Sequence, residues 1–217
     1  MRKHRLTEKE RQHLDKRVAQ AEQRTGAQIV LAVVERSDIY AEIPWKAFAL
    51  GASAAGFFVV LFDVLRPEWI TAAAILLAVA VTLAAGAACA LAAINLPRFA
   101  RLFLDAHRAE TEVKQYAQSL FLSREMFSTS RRTGILLLVS FFERQVVILP
   151  DAGIAKRLDH KAQKSVVSRM ALSLGGGKAA EALEQGLAAM EEYLSGTASP
   201  GDRKDELPNQ VIEEKGV

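Results

Sequence analysis

The sequence predicts an α/β protein: a small α/β/α sandwich with an inserted two-helix transmembrane hairpin. Short apolar runs at 28–35, 134–142 and 145–150, flanked by helical patterns, predict the sandwich. Two much longer apolar blocks between about residues 47 and 94 predict the hairpin.

The chain is expected to open with an amphipathic helix. Thr7 and Glu10 have the spacing of a capping box, in which each side chain satisfies a backbone amide at the helix start. Gly26 is placed to end the helix in a left-handed conformation. Apolar residues at helical spacing lie between them: Leu14, Val18 and Ala21. The run QIVLAVVER then predicts a buried strand from Gln28 to about Glu35.

Two apolar blocks predict transmembrane spans at about 46–65 and 69–94. The second has no charged side chain from Trp69 to Ile94. Since about 20 apolar residues cross a hydrocarbon core of about 30 Å, each block is long enough to span a bilayer. Only Arg66, Pro67 and Glu68 separate the blocks, so they form an antiparallel hairpin. Two core helices of a soluble protein would need a surrounding core too large for this chain.

Cations and aromatic residues near the block ends predict the orientation. Trp45 and Trp69 stand where indoles favour the headgroup region. The turn carries Arg66 alone, whereas six cations flank the hairpin: Arg36, Lys46, Arg98, Arg101, Arg108 and Lys114. By the positive-inside rule we expect a multi-pass protein of the cell (inner) membrane with both flanking segments cytoplasmic.

One long amphipathic helix is predicted after Pro97, with apolar residues in an i, i+3/i+4 rhythm as far as Phe121. Its first turns either rest on the membrane surface or pack on their own domain. The predicted membrane-interface residues are Trp45, Trp69, Arg98, Phe99, Arg101 and Phe103.

The stretch RTGILLLVSFFERQVVILPDAGI, Arg132 to Ile154, predicts two strands, because neither apolar run in it approaches the length of a span. A tight turn at Glu143 and Arg144 would join them. Its beginning, RTGILLLVSFFER, resembles RTGAQIVLAVVER at Arg24 to Arg36. In each copy we expect the glycine to end a helix before a strand buried on both faces.

Two further helices are expected before a disordered tail. Asp151 is a plausible cap for the first helix, and its predicted inner face comprises Ile154, Leu158, Ala162, Val166 and Met170. The second carries Leu183, Leu187, Met190 and Leu194 at helical spacing. The polar segment after it has no periodicity. The predicted boundaries are 1–44 and 97–196 for the sandwich, 45–96 for the hairpin and 197–217 for the tail.

Composition and motifs exclude several classes of function. With 28 Lys and Arg against 25 Asp and Glu, the chain lacks the excess of a nucleic-acid binder. Cys89 is the single cysteine, which rules out an intramolecular disulfide. The run SLGGGKAAE lacks the glycine and the hydroxyl that a phosphate-binding loop requires. We identify no catalytic or cofactor-binding residues.

The two RTG stretches, with LTEKERQHLDKRVAQAEQ before the first and DAGI after the second, resemble the TPM domain family over roughly residues 6 to 196. The resemblance implies an α/β/α fold with a small central sheet. The position of the hairpin, after the first strand, is similar to that in a bacterial membrane subgroup. Named members act in photosystem II repair in the thylakoid lumen or beside acetylcholine receptors in animals.

Some TPM members are credited with acid phosphatase activity or with calcium binding through acidic loop residues. In this chain Ser130-Arg131-Arg132 precede the strand, and Asp151 is the one carboxylate that fits the motif. One carboxylate beside two arginines neither holds a divalent cation nor supplies an acid and base pair. Asp151 is therefore only a weak candidate metal ligand.

Two classes of function follow from these observations. The first is a non-catalytic, membrane-anchored factor that binds and maintains another membrane protein of unknown identity. The second is a membrane-tethered, metal-dependent phosphatase, which rests on the resemblance alone. In both, the lipid bilayer is a partner. Small residues in the spans, among them Gly51, Gly56 and Gly86, either hold the hairpin together or mediate homo-oligomerisation.

Overall fold

The chain forms two compact units, which we call the sheet domain and the hairpin unit. The sheet domain comprises Met1–Asp38 and Ala109–Val217, and the hairpin unit comprises Ile39–Arg108. The computed structural model describes residues 6–66, 71–176, 178–195, 207 and 211–216. Trp69 and most of the predicted tail lie outside the described residues.

The sheet domain is built on four strands in the order β3-β2-β1-β4. They are β1 (Gln28–Arg36), β2 (Gly134–Ser140), β3 (Gln145–Pro150) and β4 (Ile212–Gly216). The two central strands, β1 and β2, pair in parallel, whereas β3 is antiparallel to β2. Every residue of β2 and seven of the nine in β1 are buried. The predicted pair of central strands buried on both faces is confirmed.

Helices cover both faces of the sheet. The four are α1 (Glu8–Thr25), α5 (Ala106–Ser123), α6 (His160–Gly175) and α7 (Ala179–Leu194). Alternate strand residues such as Leu31 and Leu137 pack with α1, α6 and α7 in one apolar cluster. Leu136 and Leu138, on the opposite face, pack with Val113 and other residues of α5. This arrangement is the predicted α/β/α sandwich.

Helix α1 begins and ends at the predicted residues. The Thr7 side chain accepts from the Glu10 amide, and the Thr7 amide donates to the Glu10 carboxylate at 2.7 Å. Hydrogen bonds from Thr7 lower the pKa of Glu10, so the helix start holds a negative charge. Gly26 ends the helix in the left-handed conformation, with φ of 68°.

The link between β2 and β3 is longer than the predicted two-residue turn. Ser140 pairs with Gln145, which leaves residues 141–144 as the loop. The Phe141 and Phe142 amides donate to carbonyls of Val34 and Glu35 in β1 rather than to β3. The loop closes at Arg144, whose φ is 55°. A longer loop lets the backbone finish its pairing with β1 before it reverses.

The predicted cap of the sixth helix was wrong. Helix α6 begins at His160, and Asp159 caps it by accepting from the Ala162 amide at 2.8 Å. Residues 152–157 form turns and residue 158 lies in a bend instead. The predicted inner face is nevertheless buried, including Ile154 and Leu158 in this segment. The turns therefore bury the same apolar residues that the predicted helix was expected to bury.

The expectation of a tail disordered throughout 197–217 was also wrong. Residues Ile212–Gly216 form β4, which pairs in parallel with β1 at the edge of the sheet. The sequence of β4, IEEKG, has no alternation of apolar and polar residues, so it gave no signal for a strand. Its two carboxylates have polar partners in the structure.

The hairpin unit contains two long apolar helices, α2 (Glu42–Leu65) and α3 (Ala72–Asn95). Both are long and apolar enough to cross a membrane, and only 6% of the most apolar window of each is buried. Such exposure differs from that of a core helix in a soluble protein. The turn at 67–70 lies outside the described residues.

Glycines bring α2 and α3 into close contact. A Cβ atom at Gly51 would lie 2.6 Å from the Ala85 carbonyl oxygen and 2.7 Å from the Cys89 sulfur. A Cβ atom at Gly86 would lie 2.7 Å from the Phe48 ring. Both glycines thus pack within the hairpin, and Cys89 is a packing residue opposite Gly51. A Cβ atom at Gly56 would meet nothing within 4 Å.

The amphipathic helix predicted after Pro97 is interrupted. Helix α4 (Pro97–Ala100) and a 3-10 turn at Arg101–Phe103 come first, and α5 starts separately at Ala106. The Asp105 carboxylate accepts from the Arg108 amide at 2.8 Å, which is the bond of a helix cap. The break at Leu104 and Asp105 therefore makes the segment from Pro97 to Phe103 a separate piece.

Candidate functional site

Asp151, the candidate ligand, lies at the end of β3 in an ion pair with Arg132. Arg132 Nε and Nη2 donate to the two carboxylate oxygens at 2.8 Å and 2.9 Å, a bidentate pair. The Ala152 amide donates to Asp151 Oδ1 at 2.7 Å. The Asp151 side chain is 5% exposed, and that of Arg132 is 55% exposed. Asp151 is thus a buried carboxylate whose charge an arginine balances.

The local backbone brings these two residues together. Arg132 adopts φ of 57°, and its carbonyl accepts from the Gly153 amide at 2.9 Å. Gly153 is required there because a Cβ atom would collide with the carbonyl oxygens of Arg131 and Arg132. The Asp151 amide donates to the Gly134 carbonyl at 2.8 Å. The start of β2 and the end of β3 are therefore clamped side by side.

The residues around Asp151 do not fit a divalent cation. Calcium takes six to eight oxygen ligands, whereas both Asp151 oxygens face the Arg132 guanidinium. No group of three or more His, Cys, Asp or Glu side chains in the described part of the chain could hold a metal ion. A cation at Asp151 would first have to displace the arginine. We therefore derive no chemical step through a metal.

A second buried carboxylate, Glu143, lies in the loop between β2 and β3. Its Oε1 accepts from the Ser37 amide at 2.9 Å and from the Ser37 hydroxyl at 2.7 Å. Its Oε2 accepts from the Ser140 hydroxyl. Arg36 stacks 4.0 Å from the centre of the Phe142 ring beside it. Glu143 thus fastens the end of β1 to the loop that follows β2.

Two serines beside a carboxylate invite comparison with an activated nucleophile. Ser37 is 5% exposed and Ser140 is 1% exposed, so neither hydroxyl reaches a substrate. Both hydroxyls donate to Glu143 itself, and no intervening base accepts their protons. The cluster is therefore a structural network.

The predicted interface residues lie in the hairpin unit. Trp45 is 72% exposed at the start of α2, with its ring 6.3 Å from that of Phe48. Phe99 and Phe103 pack edge to face at 5.3 Å. Arg98 is exposed and Arg101 is half-buried. Trp69 lies outside the described residues.

Further contacts hold the ends of the hairpin unit. Lys46 Nζ donates to the Phe103 carbonyl at 3.3 Å, which ties the 3-10 turn to α2. Arg108 Nη1 lies 2.9 Å from Glu42 Oε1. Arg108 also lies 5.7 Å from the centre of the buried Tyr40 ring. Lys46 and Arg108, taken as orientation charges in the sequence, therefore also have structural contacts.

Sequence reasoning missed the Glu143 network and a polar contact between α5 and β4. Tyr116 donates to Glu214 Oε2 at 2.5 Å, and burial and this bond together raise the pKa of the tyrosine hydroxyl. A signal for the first was available, because Ser140 and Glu143 interrupt an apolar run. Polar residues inside a buried strand usually have partners. No local signal marked Glu214.

Fold and site together define an α/β/α domain that is joined to a pair of apolar helices. Residues 99–193, somewhat less than half of the chain, match the family model described as TPM domain. The NMR structure of BA42 protein from the psychrophilic bacterium Bizionia argentinensis has a similar fold. The two align over 96% of this chain and 95% of that chain, with 15% sequence identity and a TM-score of 0.57. No curated protein matches the chain.

Proposed function

We propose that the chain is a membrane-anchored, non-catalytic factor that binds and maintains another membrane protein. The observation that carries the proposal is the exposure of two apolar helices attached to a compact sheet domain. A bilayer is the environment in which such surfaces lose contact with water. The match of residues 99–193 to the TPM domain model supports the proposal, because the family that the sequence resembles includes members that act in photosystem II repair.

The geometry supports binding better than catalysis. Two buried carboxylates of the sheet domain, Asp151 and Glu143, accept hydrogen bonds from neighbouring side chains. General acid and base catalysis needs groups within reach of a substrate. The proposed role therefore rests on surfaces of the sheet domain.

Membrane anchoring predicts how the protein fractionates. We expect the full chain to sediment with membranes and to resist extraction with alkaline carbonate. A variant in which a glycine-serine linker replaces residues 42–95 should appear in the soluble fraction, because it lacks the apolar surface. Recovery of the full chain in the soluble fraction would contradict the anchor.

By the positive-inside rule, we expect both ends of the chain to be cytoplasmic. Reporter proteins fused before Met1 and after Val217 should both report the cytoplasmic side, and a reporter inserted at Pro67 should report the opposite side. Reporters at the two ends on opposite sides would exclude a hairpin.

Partner binding can be tested by photocrosslinking in native membranes. A crosslinking residue at Ser119 in α5 and another at Lys164 in α6 sample the two faces of the sheet domain, since both positions are exposed. We expect one face to yield a recurrent membrane-protein partner at both low and normal expression. The same residue at Leu65 in α2 serves as a control for contacts made by the span alone. Products identical to the control at both positions would count against the proposal.

Catalysis is tested directly with the purified full chain in detergent micelles. Because Arg132 neutralises Asp151, we expect hydrolysis of p-nitrophenyl phosphate to stay at the buffer background, with or without calcium or magnesium. The variants Asp151→Asn and Arg132→Ala should give the same background. Turnover that Asp151→Asn abolishes would instead identify a phosphatase.

A further inference from the structure

Strand β4 occupies the outer edge of β1 through a short pairing. The ladder runs in parallel from Ala32 opposite Ile212 to Arg36 opposite Gly216. Just before the strand, the Val211 amide donates to Asp15 Oδ1 of α1 at 3.0 Å. A side chain of α1 therefore binds the backbone of this segment one residue before the ladder begins.

Two consecutive carboxylates of β4 contact opposite faces of the sheet. Glu213 points toward α1, where its Oε2 lies 3.2 Å from Arg11 Nη2 and its Oε1 accepts from the Leu6 amide at 3.2 Å. Glu214 points toward α5, where it accepts from Tyr116 and lies 3.5 Å from Arg124 Nη2. Successive strand residues alternate between faces, so one acidic pair engages both helices.

The end of β4 requires glycine. Gly216 has φ of 78°, and a Cβ atom there would collide with the Arg36 carbonyl. The edge of β1 thus accepts a short pattern: two apolar residues at 211 and 212, two glutamates, one unrestricted residue and a glycine. Lys215, at the unrestricted position, is exposed.

Strand β4 is held by partly exposed polar contacts and by little apolar burial. Val211 is buried, Ile212 is half-buried, and no further apolar side chain follows in the strand. The ion pairs to Arg11 and Arg124 are partly exposed, and such pairs are weak. By contrast, every residue of β2 is buried. A strand held in this way can exchange with a competing segment of the same chemistry.

We propose that the outer edge of β1, between α1 and α5, is a docking groove for an extended acidic segment of a partner protein. The segment carries two apolar residues, two glutamates, any residue and a glycine, and β4 occupies the groove until it is replaced. Addition of a strand to a sheet edge is an established mode of peptide recognition. Arg11 on one side and Arg124 on the other supply the complementary charge. The inference rests on the proposed function, since it names the surface that would bind the partner.

A labelled peptide tests the groove on the full chain in detergent micelles. The probe is LPNQVIEEKGV, residues 207–217, and fluorescence anisotropy reports its binding. We expect the double variant Glu213→Gln with Glu214→Gln to bind the probe at least tenfold more tightly than the unsubstituted chain, because its own strand competes less well. Lys215→Gln, which removes a charge without a contact in the ladder, should bind like the unsubstituted chain.

Matched peptides test the pattern. On the same double variant, a peptide with both glutamates changed to glutamine, and another with the glycine changed to alanine, should each bind at least tenfold more weakly. If the double variant does not fold, Gly216→Ala weakens the strand at its end and serves instead. Absence of binding to either variant, or equal binding of all peptides, would overturn the groove.

The alternative occupant of the groove is strand β4 from a second copy of the chain. In a Cys89→Ala background, a mixture of Ala32→Cys chains and Ile212→Cys chains should not form a disulfide-linked heterodimer. Formation of that dimer would mean that β4 exchanges between copies and would overturn the assignment to a partner. If the peptide does not bind but photocrosslinking identifies a partner, the docking groove is refuted and the proposed function is not. Peptide binding without any crosslinked partner would refute the maintenance role instead.

Discussion

Replacement of Glu143 by alanine is expected to destabilise the sheet domain by about 3 kcal/mol, since hydrogen bonds to charged groups contribute about 1.5–3 kcal/mol each. The change leaves the Ser37 amide and hydroxyl and the Ser140 hydroxyl without their acceptor in a buried site. For a chain of this length we expect the melting temperature to fall by about 6–12 °C.

Circular dichroism of the full chain in detergent micelles measures this effect. Glu143→Gln, which keeps one acceptor oxygen, should lie between alanine and the unsubstituted chain. Glu181→Ala is the matched control, because its exposed pair with Lys178 should contribute less than about 0.5 kcal/mol. A Glu143→Ala melting temperature equal to that of the control would refute the network.

Gly134→Ala is the second large effect that we expect, at about 3 kcal/mol, the upper part of the usual range for overpacking. A Cβ atom at Gly134 would collide with the Met126 carbonyl oxygen. Strand β2 cannot move away easily, because β1 pairs with it on one side and β3 on the other. The strain therefore has to be absorbed by a buried backbone.

The other glycines of the chain supply controls for this prediction. Gly26→Ala should cost about 1 kcal/mol, because alanine is strained at its positive φ. Gly175→Ala, where a Cβ atom meets nothing within 4 Å, should be neutral or slightly stabilising. The order Gly134, Gly26, Gly175 in thermal melting tests the geometry. A loss at Gly134 no larger than that at Gly26 would mean that the Met126 loop yields.

Local signals predicted the elements whose causes are local. The capping box of Thr7 and Glu10 acts within one turn, so the sequence alone located the start of α1. Nearly continuous apolar runs identified β1 and β2, because strands buried on both faces are rich in apolar residues. These features require no knowledge of distant contacts.

Distant contacts explain what was missed. Asp151 stands where a helix cap is plausible, yet its partner Arg132 is nineteen positions away. Apolar spacing could not reveal the break at Asp105, because α5 resumes the same periodicity after it. Strand β4 escaped detection because its carboxylates contact Arg11 of α1 and Tyr116 of α5. Sequence patterns therefore predict which residues are buried better than they predict which residues contact each other.

The two RTG stretches have different backbone conformations. Gly26 supplies a left-handed residue at the end of α1. In the second copy the left-handed residue is Arg132, and Gly134 is already the first residue of β2. The expectation that both glycines end helices was therefore right once and wrong once.

The hairpin unit lies in the connection between two strands that are hydrogen-bonded neighbours. During synthesis β1 emerges first and has no parallel partner until residues 37–133 have followed. The apolar helices thus leave the ribosome while the sheet is still open. If the helices insert as proposed, their prompt delivery to lipid would shorten the time for which β1 is exposed as an unpaired apolar edge, the kind of edge that aggregates. The proposed membrane anchor would therefore couple biogenesis of the sheet domain to insertion of the helices.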